Sequence, residues 1–277
     1  MSDGRVPNIV VIGDTHIGCK LALAPDRFML DEGNEIAASK WQQALRAWWR
    51  EFWDEFVPKA CRGEPFVLVH IGDAIDGNHH GASSVWTTNI HDQILGAVDV
   101  LKPEVSKAQA FYVVRGTGVH VGESGRDEEA LAEKLGAVRN EFGRHSQQEL
   151  TLDLGGRLIN FMHHISATAS PYARATALQR LLTNGYVEAG RRGGHQYSMY
   201  VRGHRHTHTM LSEEAAHGTV TVVSTPAWQG KTSYIYSRDG LQLVQPEIGG
   251  VVIRLADDEL FVRKFVRRPD PPRPVVI

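Results

Sequence analysis

Four short stretches of this sequence place metal-capable side chains directly after an apolar run. They are IGDTHIG, with Asp14 and His16; IGDAIDG, with Asp73 and Asp76; FMHHI, with His163 and His164; and VRGHRHTH, with His204, His206 and His208. Each apolar run reads as a buried strand, and in open α/β sheets ligands gather outside the carboxyl ends of strands. The four stretches can therefore meet at one site. Asp14 and His16 are two residues apart, as are His204 and His206, so in an extended turn both members of a pair point the same way. Aspartate with imidazole, and no thiolate set, suits Mn, Fe, Zn or Co. Six such donors exceed what one ion needs. Two ions bridged by a shared carboxylate use them naturally. Such a pair holds phosphate oxygens, offsets their charge and activates water for in-line attack at phosphorus.

The order of these stretches resembles the calcineurin-like metallophosphoesterase superfamily. Its pattern runs Asp-x-His, Gly-Asp-x-x-Asp, Gly-Asn-His-Asp/Glu, a single His, then Gly-His-x-His. Here GDTHIG, GDAID, MHH and GHRH match four of the five, from Asp14 to about His206. The resemblance implies an α/β protein, a four-layer α/β/β/α sandwich of two mixed sheets, carrying a dinuclear centre. It implies that Asp14, His16 and His206 hold one divalent ion, that Asp73 bridges, and that His163 and His204 hold the second. His163 is preferred to His164 because it follows the strand directly. Manganese is the ion expected first, with Fe, Zn, Co, Mg or Ni as alternatives.

The third motif departs from the pattern. After the strand FYVV the chain reads Gly116-Thr117-Gly118-Val119-His120, so Thr117 stands where the resemblance expects a metal-binding Asn. His120 then serves either as a substitute ligand or as the imidazole that faces the leaving group. Asn78-His79, directly after GDAIDG, spells the missing pair in a different loop. His79 is thus the rival catalytic residue and Asn78 a rival donor.

The elements that must position these residues follow from the apolar pattern. Buried strands are expected at 7–12, 66–71 and 111–114, each short, continuous and rich in β-branched residues. From Ser39 a helix is expected, with Trp41, Leu45, Trp48, Phe52 and Phe56 at helical spacing and Pro58 ending the pattern. Further helices are expected over 92–108, 127–142 and 172–190. A hairpin is expected around Gly155-Gly156, and strands at 197–201, 220–223, 249–255 and 259–266. Residues 20–37 and 77–91 read as loops, and 268–277 as an extended tail. With no internal repeat and no long linker, one domain over 1–277 is expected, with 166–194 as a candidate lid.

Composition narrows the rest. Hydrophobic residues make up 42% and charged residues 22% of 277, as in an ordinary globular protein. The net charge of −2 supplies no global basic field for nucleic acid, although a local patch would suffice. Cys19 and Cys61 lack metal-like spacing and read as free thiols. The N-terminal segment has no basic region followed by a long apolar stretch, so cytoplasmic residence away from membranes is expected. Substrate hints are fewer. Arg174 in the candidate lid, and Trp228 and Lys231 in STPAWQGKTSYIY, are candidates to clamp a nucleotide or nucleic-acid phosphodiester. The reading is a metal-dependent phosphoesterase, more readily a diesterase than a monoesterase. Its alternative is a catalytically impaired metal-binding or regulatory protein on the same fold.

Overall fold

Alternation along the apolar strands decides the layering. In β1 (Asn8–Ile12), Val10 and Ile12 face one cluster of buried side chains while Ile9 and Val11 face another. The same alternation runs through β4 (Phe66–His70) and β5 (Ala110–Val114), as strand geometry requires when both faces are covered. The computed structural model describes residues 6–79, 84–166, 175–193, 197–215, 218–237, 244–270 and 275.

The first sheet has six strands in the order β13-β12-β1-β4-β5-β6, where β6 is Ser146–Gln147, β12 is Ile248–Ala256 and β13 is Glu259–Arg267. Strands β1, β4, β5 and β6 run parallel, and β12 and β13 are antiparallel additions at one side. The second sheet has the order β10-β11-β9-β8-β7. These are β7 (Glu149–Leu154), β8 (Arg157–Met162), β9 (Met199–Arg202), β10 (Thr209–Ala215) and β11 (Gly218–Ser224). Strands β8, β9 and β11 are parallel, and β7 and β10 flank them antiparallel. A separate small hairpin pairs β2 (Arg27–Met29) with β3 (Glu35–Ala37) inside the segment expected as loop.

Between the sheets lie Ile9, Val11, Val69, Ile71, Ile159, Phe161, Met199 and Val201. Outside the first sheet pack α1 (Lys40–Glu51), α3 (Ile90–Val105) and α5 (Arg126–Leu135), through Leu45, Trp49, Ala97, Leu101 and Leu131. Outside the second sheet packs α6 (Thr176–Arg192), through Leu178 and Leu182 against Tyr200, Val220 and Val222. Four layers result, α/β/β/α with two mixed sheets, which is the architecture expected from the motif order. Each fully buried aliphatic side chain contributes roughly 1.5–3 kcal/mol.

Several expectations are corrected. The described part of 166–194 is a structural layer rather than a lid, because the apolar stripe of α6 is consumed by the sheet beneath it. Arg174 lies outside the described residues. Pro58 does not end the first helix. The chain passes through a π-helical turn, Phe52–Phe56, into α2 (Val57–Ala60), so helical backbone continues through Pro58 by way of a wider turn. Helix α5 stops at Leu135, since Gly136 adopts the left-handed conformation and closes it. β10 was not anticipated: it is a partly exposed edge strand, TMLSEEA, without a continuous apolar run.

Trp228 is also corrected. It is fully buried, 4.8 Å from the ring of Trp49, and packed with Phe52 and Phe265. It touches no substrate; it locks the loop after β11 onto the helical layer. Trp228→Ala is therefore expected to lower unfolding free energy by about 3–5 kcal/mol. Denaturant melts would check this, together with metal uptake by the fraction still folded, which should match that of the unaltered chain. Wild-type stability for the variant would refute the packing role.

Candidate metal centre

The parallel strands of both sheets end at one edge, and every expected donor follows such an end. Asp14 and His16 follow β1, and Asp73 and Asp76 follow β4. Thr117 and His120 follow β5, His163 follows β8, and His204 and His206 follow β9. The β1 and β4 loops stay paired beyond their strands. The Asp14 N–H donates to the Gly72 carbonyl (2.8 Å), that of His16 to the Asp73 carbonyl (3.0 Å) and that of Ile17 to the Ala74 carbonyl (3.0 Å).

Side-chain atoms converge on Asp73. Its Oδ2 lies 3.0 Å from His163 Nε2 and 4.0 Å from His16 Nε2. Its Oδ1 accepts from the Thr117 N–H at 2.6 Å. On one side Asp14, His16 and His206 form a group: Asp14 Oδ1 is 3.3 Å from His206 Nε2, which is 3.3 Å from His16 Nε2. On the other side Asp73, His163 and His204 form a second group. The Thr117 hydroxyl sits inside that second group, 3.1 Å from Asp73 Oδ2 and 3.3 Å from both His163 Nε2 and His204 Nδ1. His163 is the buried member of its pair and His164 the exposed one.

Backbone strain marks the same residues. Asp14, His16, Asp73, His204 and His206 all take the left-handed conformation, with φ of 49°, 42°, 54°, 69° and 53°. Each costs on the order of 1–3 kcal/mol and is held only because its surroundings over-determine it. Close approach adds a further demand at Gly116, where a Cβ would lie 2.0 Å from Asp73 Oδ1.

These donors fit divalent ions by their protonation. His163 Nδ1 donates to the Ile71 carbonyl at 2.7 Å, so its Nε2 presents a lone pair to Asp73 Oδ2. Two acceptors cannot face each other at 3.0 Å unless a proton or a cation lies between them. The facing Nε2 atoms of His16 and His206 can share one proton or one cation. Without an ion, protons supply the charge. Burial opposes it, yet Asp73 and Asp14 push His163 up to about 10. Burial raises Asp14, but His163 and His206 hold it at about 2. Asp73 lies well below the usual carboxylate range through the same His163, against its burial. His204, by contrast, is pushed down to about 4, chiefly by burial, and stays a neutral donor.

His120 is carried by α4 (Gly118–Val121), a short turn after β5. Its Nδ1 donates to the Asp76 carbonyl at 2.6 Å, which leaves Nε2 for other work. Its ring packs edge-on against His16 and His79, with centroids 4.5 Å apart in each case. A ligand atom of His120 also groups with those of His16 and Asp73. Asn78 turns away: its amide donates to the Thr88 carbonyl at 2.5 Å and it is largely exposed. Lys231 lies over the ring of Tyr236, 4.1 Å from its centroid.

Three supporting residues were not foreseen. Glu128 is fully buried on α5, and its two oxygens accept from the N–H groups of Ala74 (3.1 Å) and Gly116 (2.7 Å). It ties the loop after β4 to the loop after β5; burial, then Asp73, pushes its carboxyl up to about 7. His70 accepts from the Gly72 N–H and meets the Thr15 hydroxyl at 3.1 Å. Gln229 donates to Asp76 Oδ1 at 3.3 Å. Nothing in the local sequence distinguishes Glu128 from the other acids of RDEEALAEKL.

No protein-family model matches the chain, and no curated protein does. Solved structures are similar at low identity. Vps29 of Entamoeba histolytica, solved in complex with zinc, is 14% identical with a TM-score of 0.39, spanning 94% of this chain and 98% of that one. A metallophosphoesterase from Sphaerobacter thermophilus is 10% identical with a TM-score of 0.40, spanning 93% and 88%. A conserved predicted phosphoesterase from Streptococcus pneumoniae is 11% identical with a TM-score of 0.33, spanning 94% and 98%. At these identities and scores the likeness carries no argument about what this chain does.

Two outcomes follow from the geometry. Asp73→Asn keeps the shape but removes the charge that both groups share, so divalent-ion affinity should fall at both positions, read by titration calorimetry. Unchanged uptake would remove Asp73 from the centre. Glu128→Leu orphans two buried amides at about 1–3 kcal/mol each, and should lower both thermal stability and ion affinity. A variant that loses stability alone would mean that Glu128 does not position the loops.

Proposed function

We propose that the chain is a calcineurin-like metallophosphoesterase that hydrolyses a phosphoester with two divalent ions. The observation that carries this reading is the place of Asp73, whose Oδ2 faces His16 of one donor group and His163 of the other. Asp14, His16 and His206 would hold one ion. His163 and His204, with the Thr117 hydroxyl where an amide was expected, would hold the second. When bound, such ions neutralise phosphate oxygens and lower the pKa of a water molecule toward neutrality. Manganese is favoured for a donor set of imidazole and carboxylate, and zinc remains compatible with it.

The chain's own residues do the rest. Asp73 and Asp14 place negative charge where the ions must sit. His164 and His204 line the exposed side of the second group, their rings 5.2 Å apart, where an incoming phosphate would meet them. His120 is fixed through Nδ1, so its Nε2 is the atom to give a proton to the departing oxygen. His79 is left out of this machinery. A diester is favoured by the loop after Gln229, which carries Lys231 over the ring of Tyr236 and the exposed Tyr234, a cation and aromatic rings a few residues beyond the Gln229 side chain that meets Asp76. Nucleotides and nucleic acid are therefore the first substrates to try. Among the described residues no helix is long and apolar enough to cross a membrane.

The second reading, a metal-binding regulatory protein without turnover, draws on one observation, the hydroxyl of Thr117 in place of an amide. One experiment separates the two. The chain is stripped with chelator, reloaded with Mn, Zn or Ca, and assayed on phosphomonoesters, phosphodiesters and single- and double-stranded DNA. Diester turnover restored by Mn and not by Ca is expected, since Ca prefers six to eight oxygen ligands. Two bound ions with no turnover on any substrate would select the regulatory reading.

His120→Ala should slow an unactivated diester about 100-fold or more and an activated aryl diester much less, with the first two ions still bound. Equal loss on both substrates, with loss of one of those two ions, would make His120 a ligand of the pair instead.

A further inference from the structure

A third set of donors stands beside the pair. Asp76, His79 and His120 each offer one ligand atom, and the three atoms lie within 4.8 Å of one another. Asp76 Oδ2 is 3.5 Å from His79 Nε2, and the ring of His120 stands edge-on to that of His79 with centroids 4.5 Å apart, its Nε2 left to ligate because Nδ1 donates to the Asp76 carbonyl. The side chains are 4%, 23% and 15% exposed, so the cluster is sheltered yet open on the His79 side. The Asp76 carboxylate is held below the usual range: burial opposes this, and His16 and His79 overcome it. On its other oxygen it meets His16 Nδ1 at 3.2 Å, a buried nitrogen out of line for a hydrogen bond. Two imidazoles and one carboxylate, with room left for solvent, form the donor set of a three-ligand zinc-type position.

We propose that Asp76, His79 and His120 form a third divalent-cation position, of zinc type, which fills after the pair and switches the site off by occupying His120. This rests on the phosphoesterase reading for its consequence, though not for its existence. His120 can meet a leaving oxygen or an ion, not both at once. His79 is what distinguishes the third position, because it takes no part in the pair or in the proton transfer. Activity should therefore rise as the first two equivalents of metal bind and fall as a third does.

The test is equilibrium dialysis of the full chain against rising zinc, with elemental analysis, alongside hydrolysis of an unactivated phosphodiester by the manganese-loaded chain. The unaltered chain should take up one ion more than His79→Ala, and its turnover should fall by about tenfold or more as that ion binds. His79→Ala should keep its turnover over the same zinc range, and His79→Asp, which restores a ligand, should recover the third ion. Thermal melts of both variants establish that they are folded. Equal ion counts for the unaltered chain and His79→Ala would overturn the site, whatever the activity. A third ion without any diester turnover would leave the site standing and remove the phosphoesterase reading. A third ion that binds while turnover holds steady would overturn the switch.

Discussion

Three aspartates, Asp14, Asp73 and Asp76, are buried among the same imidazoles, and their charge has to be offset. An isolated carboxylate in such surroundings would protonate or unfold the site. Here the ion pairs of these carboxylates run to imidazoles, which can give up their protons. A lysine or arginine in those places would neutralise the carboxylates permanently and exclude a metal. Histidine leaves the choice between protons and ions open. Asp73 is the point where the demand is sharpest, since one of its oxygens faces both donor groups and the other is pinned by the Thr117 N–H.

The rest of the fold holds this arrangement against its own cost. Five left-handed residues would relax if their loops were free. They are not free, because the β1 and β4 loops remain hydrogen-bonded past the strands, and Glu128 and His70 clamp the adjoining backbone. The two sheets matter for the same reason. Their parallel strands end at a common edge, so donors from five strand ends reach one place without a long loop. The aromatic cluster around Trp49, Phe52 and Trp228 stiffens the loop that carries Gln229 to Asp76.

The strands and the donors were legible because each is a local signal. A run such as NIVVI, short, β-branched and stopped by a glycine and an aspartate, reads as a strand buried on both faces, and an aspartate or histidine directly after such a run is easily noticed. His163, preferred for its place directly after the strand, is also the buried member of its pair, while His164 is exposed. What was not legible depends on contacts distant in sequence. Glu128 lies 54 residues from Ala74, and in sequence it is one acid among several on an amphipathic helix. Trp228 stayed open between stacking and packing because an aromatic beside a lysine looks the same whether it faces solvent or the core. The role of α6 was hidden likewise, since its Leu178 and Leu182 are exposed or covered according to a sheet formed elsewhere.

The departure at Thr117 is explained by reach. A threonine hydroxyl stands one bond nearer its backbone than the oxygen of an asparagine side chain. For it to enter the second donor group, the loop after β5 must come closer to Asp73. The structure shows that approach. A Cβ on Gly72 would lie 2.7 Å from the Gly116 Cα, and one on Gly116 would lie 2.3 Å from the Asp73 backbone nitrogen. Glu128 holds the loop there by accepting from Gly116, directly before Thr117. The hydroxyl spends its single proton on Asp73 Oδ2, so its lone pairs are left for an N–H of His163 or His204 or for an ion. Thr117 therefore keeps an oxygen with a free lone pair inside the second donor group, on a backbone held close to Asp73.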